Sequence, residues 1–65
     1  MKVEWTVRHG YADEYSWIKT GEDTTSTGTV VGYVSEDGFA RAVIHAEGAL
    51  FTMPLDDLRV VQEDV

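Results

Sequence analysis

Carboxylates are the most frequent side chains in this sequence that could take part in binding or chemistry. Twelve Asp and Glu residues stand against five Lys and Arg among 65 residues, which gives a formal net charge of −7 at pH 7. Most carboxylates occur as adjacent pairs, and nearly every pair falls in a segment whose composition predicts a turn or loop. The pairs are Asp13-Glu14, Glu22-Asp23, Glu36-Asp37, Asp56-Asp57 and Glu63-Asp64, while Glu4 and Glu47 stand alone.

This charge limits the partners that the protein can have. It should repel nucleic-acid phosphates and anionic membrane surfaces and attract basic proteins. In a domain roughly 25 Å across, some pairs must lie within a Debye length of about 8 Å. A rigid array of carboxylates can then imitate the phosphates of DNA and occupy a basic groove, whereas the alternative is an acidic surface that serves only solubility. The candidate acidic surface comprises Asp13, Glu14, Glu22, Asp23, Glu36, Asp37, Glu47, Asp56 and Asp57.

Catalysis and metal binding are not predicted for these residues. A glycosidase needs two carboxylates roughly 5 to 9.5 Å apart across a cleft, and a small barrel fills its interior with its own side chains. His9 and His45 have no metal-site spacing, and the chain has no cysteine for thiolate chemistry, zinc binding or disulfides. The sequence therefore predicts neither an enzyme nor a bound cofactor or metal.

Aromatic side chains form the second candidate binding surface. Tyr11, Tyr15 and Trp17 cluster early in the chain, and Tyr33 lies on a later predicted strand. Such rings can receive a peptide or a basic side chain through cation–π contact. The alternative is that a small domain needs most of its aromatics for its core. Stacking of single-stranded nucleic acid on the rings is opposed by the charge of −7.

The elements that must position these side chains are predicted to be short β-strands. Residues 2–9 alternate between apolar and polar positions, as in a half-buried strand. Tyr11, Tyr15 and Ile18 also fit a helical spacing, but β-branched and aromatic residues favour a strand over 15–19. Further strands are predicted at 29–34, 39–46, 49–53 and 59–62, with tight turns at 35–38 and 46–48, a surface loop over 21–28, a 3₁₀-type turn over 54–58 and a frayed end over 63–65.

Apart from the short strand over 15–19, the five predicted antiparallel strands and one long early loop predict an all-β domain that closes into a small barrel over residues 1–65. Strand 39–46 has apolar residues on both faces, which could mean that a second copy of the chain covers one of them as a homodimer. The predicted core comprises Val3, Trp5, Val7, Val30, Val43 or Ile44, Phe51, Leu55, Leu58 and Val60.

Two segments resemble the SH3-like small barrel and its bacterial Tudor-like relatives. The first is Thr27-Gly28-Thr29-Val30-Val31, which enters a strand, and the second is the segment from Met53 to Val60, which looks like the 3₁₀ turn before the last strand of that fold. The resemblance implies a ligand groove beside the early loop. The chain lacks the Ala-Leu-Tyr-Asp-Tyr-like first strand and the paired Trp of eukaryotic-type SH3 domains, so recognition of proline-rich peptides is not implied.

These observations favour a non-enzymatic, acidic protein-binding module in the cytoplasm. In its concrete form it is a small phage- or bacteria-type inhibitor that mimics nucleic-acid charge and occupies the basic surface of a nucleic-acid-binding protein. One alternative is a Tudor- or SH3-like reader of a peptide or basic side chain. Another is a nucleic-acid-binding small barrel.

Overall fold

The computed structural model describes residues 1–62, which form seven β-strands and one 3₁₀ turn. The predicted fraying of 63–65 and the pair Glu63-Asp64 lie outside the described residues. The elements are β1 (Lys2–Val7), β2 (Gly10–Ala12), β3 (Trp17–Lys19), β4 (Thr24–Glu36), β5 (Phe39–Ala46), β6 (Ala49–Pro54), the 3₁₀ turn (Leu55–Asp57) and β7 (Arg59–Val60).

Five of the strands form one antiparallel sheet in the order β6-β5-β4-β1-β7, and β2 pairs with β3 in a separate hairpin. The all-β prediction with about five antiparallel strands and a 3₁₀ turn before the last strand is confirmed. Pairing among residues 1–62 ends at β6 on one side and at β7 on the other. Closure into a barrel therefore stays a prediction.

Strand β4 is long because it serves two neighbours in succession. Residues 24–29 pair with β1, and residues 29–36 pair with β5, with a register shift between Val30 and Gly32. Strands β4 and β5 approach each other closely at position 28. Glycine is required there, because a Cβ atom would lie 2.8 Å from Cγ2 of Ile44. The bulge and this glycine together allow one strand to pass from one half of the sheet to the other.

The predicted loop over 21–28 is wrong in its second half, because Thr24 to Gly28 belong to β4. The composition of this run is polar, yet its threonines are β-branched and suit a strand. Pairing with the alternating strand β1 makes this run a strand rather than a loop. Residues 17–19 form a strand rather than a helical turn, as expected.

Both tight turns are as predicted, and they use the same backbone geometry. Asp37 and Gly38 have φ values of 51° and 81°, and Glu47 and Gly48 have 51° and 78°. Two successive residues with positive φ form the turn that matches the twist of an antiparallel hairpin. These turns fix the register of β4 with β5 and of β5 with β6.

The core lies where β1, β4 and β5 meet. Val3, Trp5, Ala42 and Ile44 are buried, and partly buried Val7, Val30, Ala46, Met53 and Leu58 pack against them. The structure thus settles the orientation of β5, since Ala42 and Ile44 face the core. The opposite face carries exposed Phe39 and half-buried Val43. Homodimerisation through that face stays a prediction.

Three predicted core residues are exposed instead. Phe51, Leu55 and Val60 expose 37%, 43% and 62% of their surface. Phe51 and Val60 lie on β6 and β7, the outermost strands of the sheet, and Leu55 lies in the 3₁₀ turn that follows β6. Among residues 1–62, β6 and β7 have a neighbouring strand on one side only, so their apolar side chains are not enclosed. Phe51 keeps an edge-to-face contact with Trp5 at 5.6 Å between ring centroids.

Candidate functional site

Two acidic turns meet at one end of β5. The hairpin of β5 and β6 places Pro54 opposite Arg41, so the 3₁₀ turn that follows lies beside the β4–β5 turn. Between the two turns is a concavity of about 580 Å³, here called the acidic concavity. It is lined by Glu36, Asp37, Phe39, Ala40, Arg41, Pro54, Leu55 and Asp56.

The acidic concavity combines apolar surface with uncompensated charge. Phe39 is 73% exposed although its side chain is large and apolar. Arg41 lies 3.5 Å from the Glu36 carboxylate and also donates hydrogen bonds to Oγ1 and the carbonyl of Thr52. Within residues 1–62, Asp37 and Asp56 have no ion-pair partner. A basic side chain of a partner could pair with these carboxylates while an apolar neighbour of it contacts Phe39.

The acidic surface ends at an adjoining concavity of about 480 Å³. Asp56 and Asp57 share its lining with Arg8 and Arg59. Arg59 lies 3.3 Å from the carboxylate of Glu4. Positive charge therefore adjoins Asp57, whereas Asp37 lies on the far side of the acidic concavity.

The other predicted acidic residues lie elsewhere. Asp13 and Glu14 are in the exposed turn between β2 and β3. Glu22 and Asp23 are in the segment between β3 and β4, where Glu22 lies 3.5 Å from Nζ of Lys19. Glu47 occupies the turn at the opposite end of β5. The structure thus brings Glu36, Asp37 and Asp56 together, with Asp57 adjoining, and leaves the other five apart.

The four predicted aromatic residues lie on two different parts of the fold. Tyr11 and Trp17 lie on β2 and β3, Tyr15 is in the turn between them, and Tyr33 is on β4 opposite Ala42. Tyr15 is 91% exposed. None of the four lines the three concavities described here. Arg8 holds its guanidinium carbon 4.3 Å from the centroid of the Trp17 ring.

A third depression, here called the aromatic concavity, lies at the other end of β5 and measures about 730 Å³. Its floor carries Trp5 and Phe51, and small residues leave the space open. It is lined by Trp5, Thr25, Ser26, Thr27, Gly28, His45, Ala46, Glu47, Ala49 and Phe51.

The histidines lie apart from any metal-binding group. Nε2 of His9 is in hydrogen-bond contact with Oγ1 of Thr24 at 2.9 Å. His45 is on the rim of the aromatic concavity. In the part of the chain that the structure describes, no three His, Asp or Glu side chains are grouped so that they could hold a metal ion. That part also contains no helix long and apolar enough to cross a membrane.

Sequence reasoning missed Phe39 and Leu55 as site residues. A signal for them was present, because Phe39 directly follows the Asp37-Gly38 turn and Leu55 directly follows Pro54. Counting outward equally from the Glu47-Gly48 turn pairs position 54 with position 41, which already places the two segments side by side.

Comparisons with family models, curated proteins and solved structures found no match to the chain. The SH3-like resemblance therefore stays a prediction based on the residues quoted above.

Proposed function

We propose that the protein is a non-enzymatic, cytoplasmic module that binds a basic surface of another protein through the acidic concavity. The observation that carries this proposal is the meeting of Glu36, Asp37 and Asp56 around an exposed phenylalanine. In its concrete form the module is an inhibitor that covers a surface its target uses for nucleic acid.

The two components of the acidic concavity have different tasks in this mechanism. The net charge of −7 steers a basic partner toward the protein, and this effect weakens with salt. The carboxylates of Asp37 and Asp56 then pair with lysine or arginine side chains of the partner. Phe39 supplies apolar contact area, as aromatic anchors do at the centres of protein interfaces.

The proposal is tested by comparing two sets of four neutralised carboxylates. The acidic-concavity variant combines Glu36→Gln, Asp37→Asn, Asp56→Asn and Asp57→Asn. The hairpin variant combines Asp13→Asn, Glu14→Gln, Glu22→Gln and Asp23→Asn. Each set removes four negative charges, so the two variants share one net charge. Asn is chosen at position 37 because it tolerates positive φ.

Tagged wild type and both variants are used to capture proteins from bacterial lysate, with elution in steps of salt. We expect wild type and the hairpin variant to retain the same nucleic-acid-binding proteins, which leave at moderate salt and are displaced by duplex DNA. The acidic-concavity variant should lose them. Equal retention by both variants would contradict the proposal.

A reader of basic side chains is the second candidate, and the Arg8–Trp17 contact favours it. The guanidinium of Arg8 lies 4.3 Å from the Trp17 centroid, and this cation–π geometry supports the ring as a site for a cation. An external cation would bind there by displacing Arg8. In that case Trp17→Ala would abolish binding of the captured partner, while the acidic-concavity variant would bind nearly as wild type does.

A further inference from the structure

Within the described residues 1–62, the first part of β4 has a partner strand on one edge only. Residues 24–29 pair with β1, and β5 reaches no further along β4 than Thr29. Strand β5 ends at Ala46, where the Glu47-Gly48 turn leads the chain away. The position beside residues 24–28 that a longer β5 would fill is open, and it coincides with the aromatic concavity.

The pairing of β4 with β1 determines which backbone N–H and C=O groups of β4 face this opening. The amide of Val30 donates to the carbonyl of Met1, so even-numbered residues of this part of β4 direct their N–H and C=O groups toward β1. The groups of Thr25 and Thr27 alternate with them and point away from β1, into the opening. Among residues 1–62 no strand pairs with this edge.

The side chains around the opening include aromatic rings that an added strand could contact. Trp5 and Ser26 face each other across the ladder on the inner side of the sheet, and Phe51 borders them. Phe51 is 37% exposed, because no other strand of the described part of the chain lies over it from this side. Ala49 contributes only a methyl group to the lining, and Glu47 is the acidic residue beside it.

We propose that the open edge of β4 beside Thr25 and Thr27 binds an extended segment of a partner protein as an added β-strand. Only an extended backbone repeats donors and acceptors at the spacing that the two threonines present. Alternate side chains of such a segment point to one face. Large apolar residues at those positions would cover the exposed part of Phe51, and a lysine or arginine would lie beside Glu47.

A second copy of this chain is a poor occupant, because it brings a further charge of −7. A neutral or basic segment meets no such repulsion. This site lies at the opposite end of β5 from the acidic concavity, so the inference does not depend on the proposed function.

The test uses a displayed library of random ten-residue peptides selected on the wild-type protein and counter-selected on Thr27→Pro. Proline at position 27 removes the N–H that points into the opening but leaves the hydrogen bonds to β1 intact. Proline is also tolerated where a strand edge faces solvent. We expect enriched peptides that alternate apolar and basic residues and bind Thr27→Pro at least tenfold more weakly. Absence of any enrichment would overturn the proposal.

Amide hydrogen exchange of wild type with an enriched peptide then locates the contact. Exchange at Thr25 and Thr27 should slow at least tenfold, while Asp37 at the other end of β5 stays unchanged. Because Thr27→Pro could disturb the fold, Ala49→Phe serves as a second variant that fills the space without altering β4. Peptides that bind Ala49→Phe as tightly as wild type, or that leave both threonine amides unprotected, would overturn the proposal.

Discussion

The two ends of β5 carry turns of the same geometry but form different surfaces. Asp37-Gly38 and Glu47-Gly48 have nearly identical φ angles, and each turn borders a concavity of several hundred Å³. At the first end the 3₁₀ turn brings further carboxylates, and the surface becomes acidic. At the second end β4 continues past β5, and the surface presents open backbone and aromatic rings. The neighbouring segment, rather than the turn, determines the chemistry of each end.

The two ends depend on one shared core, so damage to that core should remove both together. Ile44 is fully buried and lies midway between Ala42 and Ala46 on the inner face. Ile44→Ala should lower the free energy of unfolding by about 2–5 kcal/mol, as for other large-to-small core changes. Urea unfolding followed by tryptophan fluorescence measures this.

Leu50→Ala is the matched control, because Leu50 is 66% exposed. It should change the free energy of unfolding by less than about 0.5 kcal/mol. A similar loss in both variants would mean that the core does not lie where β1, β4 and β5 meet.

The equivalence of the turns can be tested by removing each glycine. Gly38 and Gly48 have positive φ and open space where a Cβ atom would be added, so only backbone strain opposes alanine. Gly38→Ala and Gly48→Ala should each destabilise the protein by about 1–2 kcal/mol. Thermal unfolding of the two variants under one set of conditions gives the comparison. A large difference between them would show that one turn is held by more than its own backbone.

The contact between the β2–β3 hairpin and the rest of the molecule should be weaker than either turn. Arg8→Ala removes the cation from the Trp17 ring and should lower the free energy of unfolding by about 0.5–1 kcal/mol. The fluorescence emission of Trp17 should also change, because its surroundings become more aqueous. The variant Trp17→Phe shows which part of the tryptophan emission comes from Trp17 rather than from Trp5. An unchanged spectrum in Arg8→Ala would contradict the stacked geometry.

The strands that could be predicted are those whose signals are local. Strand β1 follows from alternation, both turns follow from acid–glycine pairs, and the 3₁₀ turn follows from Pro54. The start of β4 was missed because its polar composition resembles a loop and only its pairing with β1 makes it a strand. The exposure of Phe51 and Val60 could not be predicted, since apolarity does not reveal whether a neighbouring strand covers a side chain.

The acidic residues of the candidate site were predicted, but its apolar residues Phe39 and Leu55 and its arrangement were not. The acidic pairs were evident, yet charge alone does not distinguish Asp37, which has no ion-pair partner among residues 1–62, from Glu22, which lies beside Lys19. The sequence also does not reveal that Tyr33 lies on the large sheet while the other three predicted aromatics lie on the β2–β3 hairpin.

The most direct measurement of the central claim is the affinity of one basic peptide for three forms of the protein. A labelled nine-residue peptide of Arg-Arg-Leu repeats is titrated with wild type, the acidic-concavity variant and the hairpin variant at about 0.15 M ionic strength. We predict that the acidic-concavity variant binds at least about tenfold more weakly than wild type, or about 1.4 kcal/mol, and the hairpin variant less than about threefold more weakly. Equal weakening of both variants would show that net charge alone governs binding, and would contradict the claim that the acidic concavity is the site.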